Sequence, residues 1–283
     1  MTSATLIEKC CLVANPAAGN PTQYLVEQAF AQKGLDWRFM SFEFEPARLA
    51  DAMRGLRALG FHGVKVGEPF HESVIEHVDE LTESARRCGS VNCVTEIGEK
   101  YVGDNTEGAA LVELVRQQIT PTGRRAVVIG SGRLARAVAL ALAETGITGM
   151  TIVSRNATTG QQLAELVKQH TSVDTSYVPF ATNVISIEPE TGVLVHATAL
   201  GSERPEAKLP INVETLTPKM VVADVAYNTS RTWLTQQAAE RGCRVVDGLS
   251  LYVQQTALAL RTWTGVMPDT VSMREAAEEF LGI

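Results

Sequence analysis

Ala126-Val-Val-Ile-Gly130-Ser-Gly132-Arg-Leu-Ala135 is the stretch whose reading decides the fold. Four apolar residues run into Gly130-x-Gly132-x-x-Ala135, and a helical pattern follows. Gly130 permits a tight turn, Gly132 lets the backbone approach a pyrophosphate, and Ala135 lets the helix pack close to the strand. The helix N-terminus then offers unpaired N–H groups and a positive dipole end to phosphates. With a second apolar strand at Met150–Val153, the spacing predicts a dinucleotide-binding βαβ unit.

Downstream, Val193–Ala197, Val221–Val225 and Arg244–Val246 are further short apolar runs. Continuous runs of this kind are strands of a parallel sheet covered by helices on both faces. Helical patterns at Leu134–Glu144, Thr159–Gln169 and Arg231–Arg241 alternate with them, Ser230 standing as N-cap and Gly242 as the residue after the last helix. Two helices close the chain, Leu251–Trp263 and Met273–Leu281, the latter opening on a Ser272-x-x-Glu275 capping box. Upstream lies a second region of shorter units. Its strands are expected at Cys10–Ala14, Trp37–Phe44, Gly63–Val66, Ser90–Thr95 and Lys100–Gly103. Helices are expected after Thr22, over Leu49–Leu59, and through Val74, Ile75, Val78 and Leu81. Glu107–Gln118 reads as a linking helix. The expected class is α/β with two domains, an N-terminal α/β domain and a Rossmann-type doubly wound parallel sheet domain.

Cofactor choice is read at the end of the second strand. NAD sites place an acid there for the ribose 2′-hydroxyl. Here Ser154-Arg155-Asn156 offers an arginine, suited to a 2′-phosphate, so NADP(H) is favoured over NAD(H). The 283 residues carry a formal charge of −7, which argues against nucleic acid as a partner. No apolar stretch approaches the roughly 20 residues of a membrane span. Five cysteines without CxxC spacing fit free thiols in a reducing, cytoplasmic setting, and no metal site is expected. A small-molecule substrate and a monomer or homodimer complete the expectation.

Further strings line up in order. Gly89-Ser-Val-Asn92, Gly103-Asp-Asn-Thr-Glu-Gly108, Ser154-Arg-Asn156, Ala197-Thr198 with Gly201, Asp224-Val-Ala-Tyr227 and Gly248-Leu with Gln255 resemble the shikimate dehydrogenase family along nearly the whole chain. The resemblance implies a substrate domain of residues 1–106 plus 249–283, an NADP(H)-binding domain of 107–248, and a reaction held in the cleft between them. It implies cofactor contacts from Gly130, Ser131, Gly132, Arg133, Leu134, Ser154, Arg155, Asn156, Thr198, Val225 and Gly248. For substrate it implies Asn20, Thr22, Gly67, Asn92, Tyr227 and Gln255, and Lys65, new relative to the family pattern, is expected to add a charge-assisted contact.

The departures bear on chemistry. Where the family loop ends in a catalytic lysine, this chain has Lys65-Val-Gly-Glu-Pro-Phe-His71. The family's aspartate is Glu107, its carboxylate-binding serine pair is Asn20 and Thr22, and its loop threonine is Gly67. Reducing a ketone needs hydride from the nicotinamide and a proton donor for the nascent alkoxide, best supplied near the working pH. Histidine, with an ordinary pKa of about 6.5, meets that demand. His71 partnered by Glu107 is therefore the expected catalytic pair. The implied function is NADP(H)-dependent hydride transfer to or from a hydroxylated cyclic carboxylic acid, shikimate or an analogue. The alternative is a catalytically degenerate dinucleotide-binding protein with a sensing or other non-redox role.

Overall fold

The computed structural model describes residues 7–180, 184–202, 204–229 and 231–283. The chain forms two units, Met1–Thr106 with Gln255–Ile283, and Glu107–Gln254. The second crossing falls after Gln254 rather than after Gly248, inside a helix that runs unbroken over Gly248–Thr264.

The first unit contains β1 (Glu8–Ala14), α1 (Thr22–Lys33), β2 (Trp37–Glu43), α2 (Leu49–Ala58), β3 (Gly63–Val66), β4 (Glu80–Leu81), α3 (Glu83–Cys88), β5 (Cys93–Ile97) and β6 (Lys100–Asp104). They form one sheet in the order β2-β1-β3-β5-β6-β4. β1 runs parallel to β2 and β3, while β5 is antiparallel to β3 and β6. Cys11, Val13, Val64, Val66, Val94 and Tyr101 pack against Leu49, Met53 and Leu56 of α2 and against Phe61, Phe70 and Val74. A Cβ at Gly63 would lie 2.5 Å from the Trp263 indole, whose Nε1 donates to the Val94 carbonyl at 3.0 Å.

The helix expected through Val74–Leu81 is replaced by a 3₁₀ turn, Ser73–His77, followed by β4. Asp79 is the cause. Its Oδ2 accepts from Arg57 Nη2 and from the Tyr101 backbone N–H, both at 2.7 Å, and this ties the segment alongside β6. Arg57 holds the Asp79 carboxyl below its ordinary range. Thr82 then caps α3. At α1, Asn20 Oδ1 accepts the Thr22 backbone N–H at 2.9 Å, and the Thr22 side chain does not cap.

The second unit contains α4 (Glu107–Gln118), β7 (Arg125–Ile129), α5 (Arg133–Ala143), β8 (Gly149–Ser154), α6 (Ala157–His170), β9 (Asp174–Pro179), β10 (Ile185–Ser186), β11 (Thr191–His196), β12 (Ile211–Asn212), β13 (Val221–Asp224), α7 (Trp233–Glu240), β14 (Arg244–Val246) and the start of α8 (Gly248–Thr264). Its six-stranded sheet has the order β14-β13-β11-β7-β8-β9, every pair parallel. That order reverses direction between β7 and β11, where open α/β sheets bind ligands at strand C-termini. Strand β9 is an exposed edge without the apolar run that marks its neighbours. Ser230 lies outside the described residues, and α7 is capped by Thr232 in a reciprocal box with Thr235. The closing helix α9 (Thr270–Leu281) is capped by Asp269, not by Ser272, which donates to the Asp269 carboxylate at 3.0 Å. Among the described residues, no helix is long and apolar enough to cross a membrane.

Candidate functional site

The turn after β7 is built as its glycines require. Gly130 has φ +126°, and a Cβ there would lie 2.4 Å from the Ala197 carbonyl oxygen. A Cβ on Gly132 would meet nothing within 4 Å, so its missing side chain leaves open space at the head of α5. Beside it is a cavity of about 510 Å³ lined by Gly130, Ser131, Gly132, Ser154, Arg155, Asn156 and Thr198, together with Ile129, Val153, Phe180, Ala197, Ala199 and Leu200. Sequence reasoning missed Phe180 and Leu200, which follow their strands without a motif.

Ser131 Oγ lies 2.7 Å from Thr159 Oγ1, and Asn156 caps α6 by accepting from the Thr159 N–H at 3.2 Å. Both interactions fix the loop ends that wall the cavity. Arg155 is exposed and makes no hydrogen bond or ion pair with the described residues. Among those residues, no carboxylate lines the cavity. Of the other expected cofactor residues, Arg133 and Leu134 open α5, and the Val225 N–H donates to the His196 carbonyl at 3.2 Å. A Cβ at Gly248 would lie 2.2 Å from the Ala226 carbonyl oxygen, so this glycine serves close packing.

Behind the cavity wall lies a network that the sequence did not reveal. His196 and Asp224 end adjacent strands in direct register, and both are buried. His196 Nδ1 is 3.2 Å from Asp224 Oδ2, close enough for an ion pair though off-line for a hydrogen bond. His196 Nε2 lies 2.6 Å from Thr198 Oγ1 on the cavity wall. Thr232 Oγ1 donates to Asp224 Oδ2 at 2.7 Å, and the Ala226 N–H donates to Oδ1 at 3.2 Å. Tyr227 stacks on Tyr252 with ring centroids 4.5 Å apart, and burial raises its phenol pKa.

In the first unit, polar side chains converge at the C-terminal end of β3 and around β5. Asn92 Nδ2 donates to Gln255 Oε1 at 2.8 Å and to Thr106 Oγ1 at 3.0 Å, while its Oδ1 accepts the Thr106 N–H at 2.9 Å. Lys65 is 4% exposed with Nζ 3.4 Å from Gln255 Oε1. The amide of Gln255 thus joins Asn92 to a buried cation, an arrangement suited to holding hydroxyl groups. Thr106 sits in the Gly103–Gly108 string, where nothing in the sequence sets it apart as a member of this cluster.

His71 is buried, with Nδ1 3.6 Å from Glu68 Oε1, an ion-pair distance beyond hydrogen-bond reach. Glu68 itself is largely exposed. The Gly67 N–H donates to the Val13 carbonyl at 2.8 Å, and a Cβ there would lie 2.9 Å from Ala14 Cβ. Gly67 therefore seats the loop on β1. Thr22 is fully buried and Asn20 is half-buried. Next to Asn20, the Ala17 and Ala18 N–H groups donate to Glu43 Oε2 at 2.7 and 3.2 Å. In the second unit, Glu107 heads α4, and its carboxylate accepts from Arg133 Nη1.

Comparison with known proteins adds an independent line. Residues 12–94 match the shikimate dehydrogenase substrate binding domain, and residues 113–208 match the shikimate / quinate 5-dehydrogenase family. A shikimate dehydrogenase (NADP(+)) of Desulforamulus reducens is 32% identical over 269 residues, covering 94% of this chain and 92% of that protein. The ligand-free crystal structure of a 5-ketofructose reductase of Gluconobacter sp. superposes with a TM-score of 0.93 at 32% identity, over 96% of this chain and 98% of that one. The shikimate 5-dehydrogenase of Thermus thermophilus, in complex with NADP(H) and shikimate, gives a TM-score of 0.84 at 28% identity, over 97% and 100% of the two chains.

Proposed function

The chain belongs to the shikimate dehydrogenase family and is an oxidoreductase of that kind, and we propose that it transfers hydride between NADP(H) and a polyhydroxylated carbonyl compound, with His71 moving the proton. The observation that carries the cofactor choice is Arg155, an uncommitted cation on a cavity wall without carboxylates among the described residues. A 2′-phosphate is attracted there, whereas the ribose diol of NAD finds no acid to hold it. The open space at Gly132 and the N-terminus of α5 fit a pyrophosphate. When bound, the nicotinamide supplies or accepts the hydride. His71 exchanges the proton at Nε2, since Nδ1 lies beside Glu68. Glu107, the carboxylate that the sequence offers as the second member of the pair, accepts from Arg133 within the second unit, and the carboxylate beside His71 in the first unit is Glu68. Lys65, Asn92 and Gln255 hold and orient substrate hydroxyls, and Tyr227 adds a phenol.

The substrate has two readings. A hydroxylated cyclic carboxylic acid such as shikimate follows from the family. A neutral polyhydroxy ketone is favoured by the loop before α1. There, Thr22 is buried, and Glu43 already fills the Ala17 and Ala18 N–H groups. A substrate carboxylate would meet these two backbone donors already taken by a resident carboxylate. The likeness to a 5-ketofructose reductase agrees with this second reading. The non-redox alternative is not favoured. The buried polar group of Lys65, Asn92 and Gln255 beside the family match supports a site for a hydroxylated substrate.

Nicotinamide absorbance with NADP(H) and NAD(H) tests the proposal, using shikimate, quinate and 5-ketofructose as partners. The expected result is turnover of at least one, faster with NADP(H), and a loss of about 100-fold or more in His71→Ala. No turnover of any partner, or a fully active His71→Ala, overturns it. Turnover of 5-ketofructose alone selects the neutral substrate, and turnover of the ring acids selects the other.

A further inference from the structure

Arg133 is the first residue of α5, directly after Gly132, and Glu107 is the first residue of α4. Their ion pair is partly sequestered, the carboxylate side chain 5% exposed and the guanidinium 18%. A carboxylate at the head of α4 is favoured by the helix dipole. A cation at the head of α5 is disfavoured by the same effect. Glu107 offsets that cost by neutralising the guanidinium. The head of α5 is also where the glycine turn leaves room for a pyrophosphate. Two anions, one resident and one incoming, therefore compete for one guanidinium whose planar fork suits both carboxylate and phosphate.

We propose that Arg133 is a positioning residue shared between Glu107 and the dinucleotide pyrophosphate, so that filling the dinucleotide cavity changes the electrostatic surroundings of Glu107. The coupling is reciprocal: whatever the dinucleotide does to the Glu107–Arg133 pair, the pair does to dinucleotide affinity. A bound pyrophosphate draws positive charge away from Glu107 and leaves its carboxylate to other donors. The inference rests on the dinucleotide reading of the cavity. It uses neither the role of His71 nor any substrate.

The test is fluorescence titration with NADPH of the full chain and of Glu107→Gln, Arg133→Ala, Arg133→Lys and Arg133→Ala/Glu107→Gln. Glu107→Gln keeps the side-chain shape and removes the competing charge, so NADPH binding tightens by about fivefold or more. Arg133→Ala weakens binding, and in that background Glu107→Gln has no further effect. Arg133→Lys keeps the charge without the fork and shows a smaller tightening when combined with Glu107→Gln. This lysine background serves the same comparison if the alanine variant does not fold. An unchanged affinity in Glu107→Gln overturns the proposal, as does an equal effect with and without the Arg133 side chain. A wild-type chain that binds no NADPH overturns the dinucleotide reading itself, and this inference with it.

Discussion

Cys10, Cys11, Cys88, Cys93 and Cys243 are all buried free thiols. Burial pushes the Cys93 thiol up to about 12 and raises Cys10, Cys11 and Cys243 as well. A thiol attacks as the thiolate, so a raised pKa removes the reactive form near neutrality. We expect the native chain to resist a disulfide labelling reagent at neutral pH and all five thiols to react once it is unfolded in denaturant. Rapid labelling of even one thiol in the native chain would show that burial does not protect it. His71, Asn92 and Arg155 stood in short contiguous strings and could be named from the sequence. The pairing of His196 with Asp224 could not, because strand register brings together residues from separate βα units. Nor could that of Glu107 with Arg133, which depends on two helix starts meeting.

Helix α4 packs on α5 through Gly108, where a Cβ would lie 2.5 Å from the Ala137 carbonyl oxygen and 2.7 Å from Ala141 Cβ. Backbone cannot yield as a flexible side chain can, so Gly108→Ala should destabilise by about 1–3 kcal/mol. Gly55, within α2, has nothing within 4 Å of its Cβ position. There alanine should stabilise by roughly 0.5–1 kcal/mol. Urea midpoints of the two variants should move in opposite directions, and a shared direction would contradict the packing account. Elements were legible where one local signal dominated. The parallel strands of the second unit are continuous apolar runs, and the glycine turn marks where α5 begins. Between Val74 and Leu81 the apolar spacing imitates a helix, yet the ties from Asp79 to Arg57 and Tyr101 draw the chain into β4. Such a tie links residues 22 positions apart and leaves no periodic trace.

Over the whole molecule the formal charge is −7, which opposes any anionic ligand. The proposed attraction for a 2′-phosphate must then be local, and Arg155 is the charged side chain on the cavity wall to which we assign it. Screening shortens at higher salt, the Debye length being about 10 Å at 0.1 M. Raising the salt should therefore weaken NADPH binding more than NADH binding, and Arg155→Ala should abolish the difference. Parallel salt slopes for the two dinucleotides in the wild type would remove Arg155 from the recognition of the phosphate. The arrangement of the units along the chain has a consequence of another kind. The second unit is one contiguous segment, whereas the first is split and takes its last part from Gln255–Ile283. The Trp263 indole fills the space over Gly63 and bonds to Val94, and α9 packs on α1. During synthesis the ribosome thus delivers every residue of the second unit before the first can close its core. The segment translated earliest waits longest for its missing wall, and nascent chains stalled before Trp263 should expose the apolar faces of β3 and α1 to chaperones.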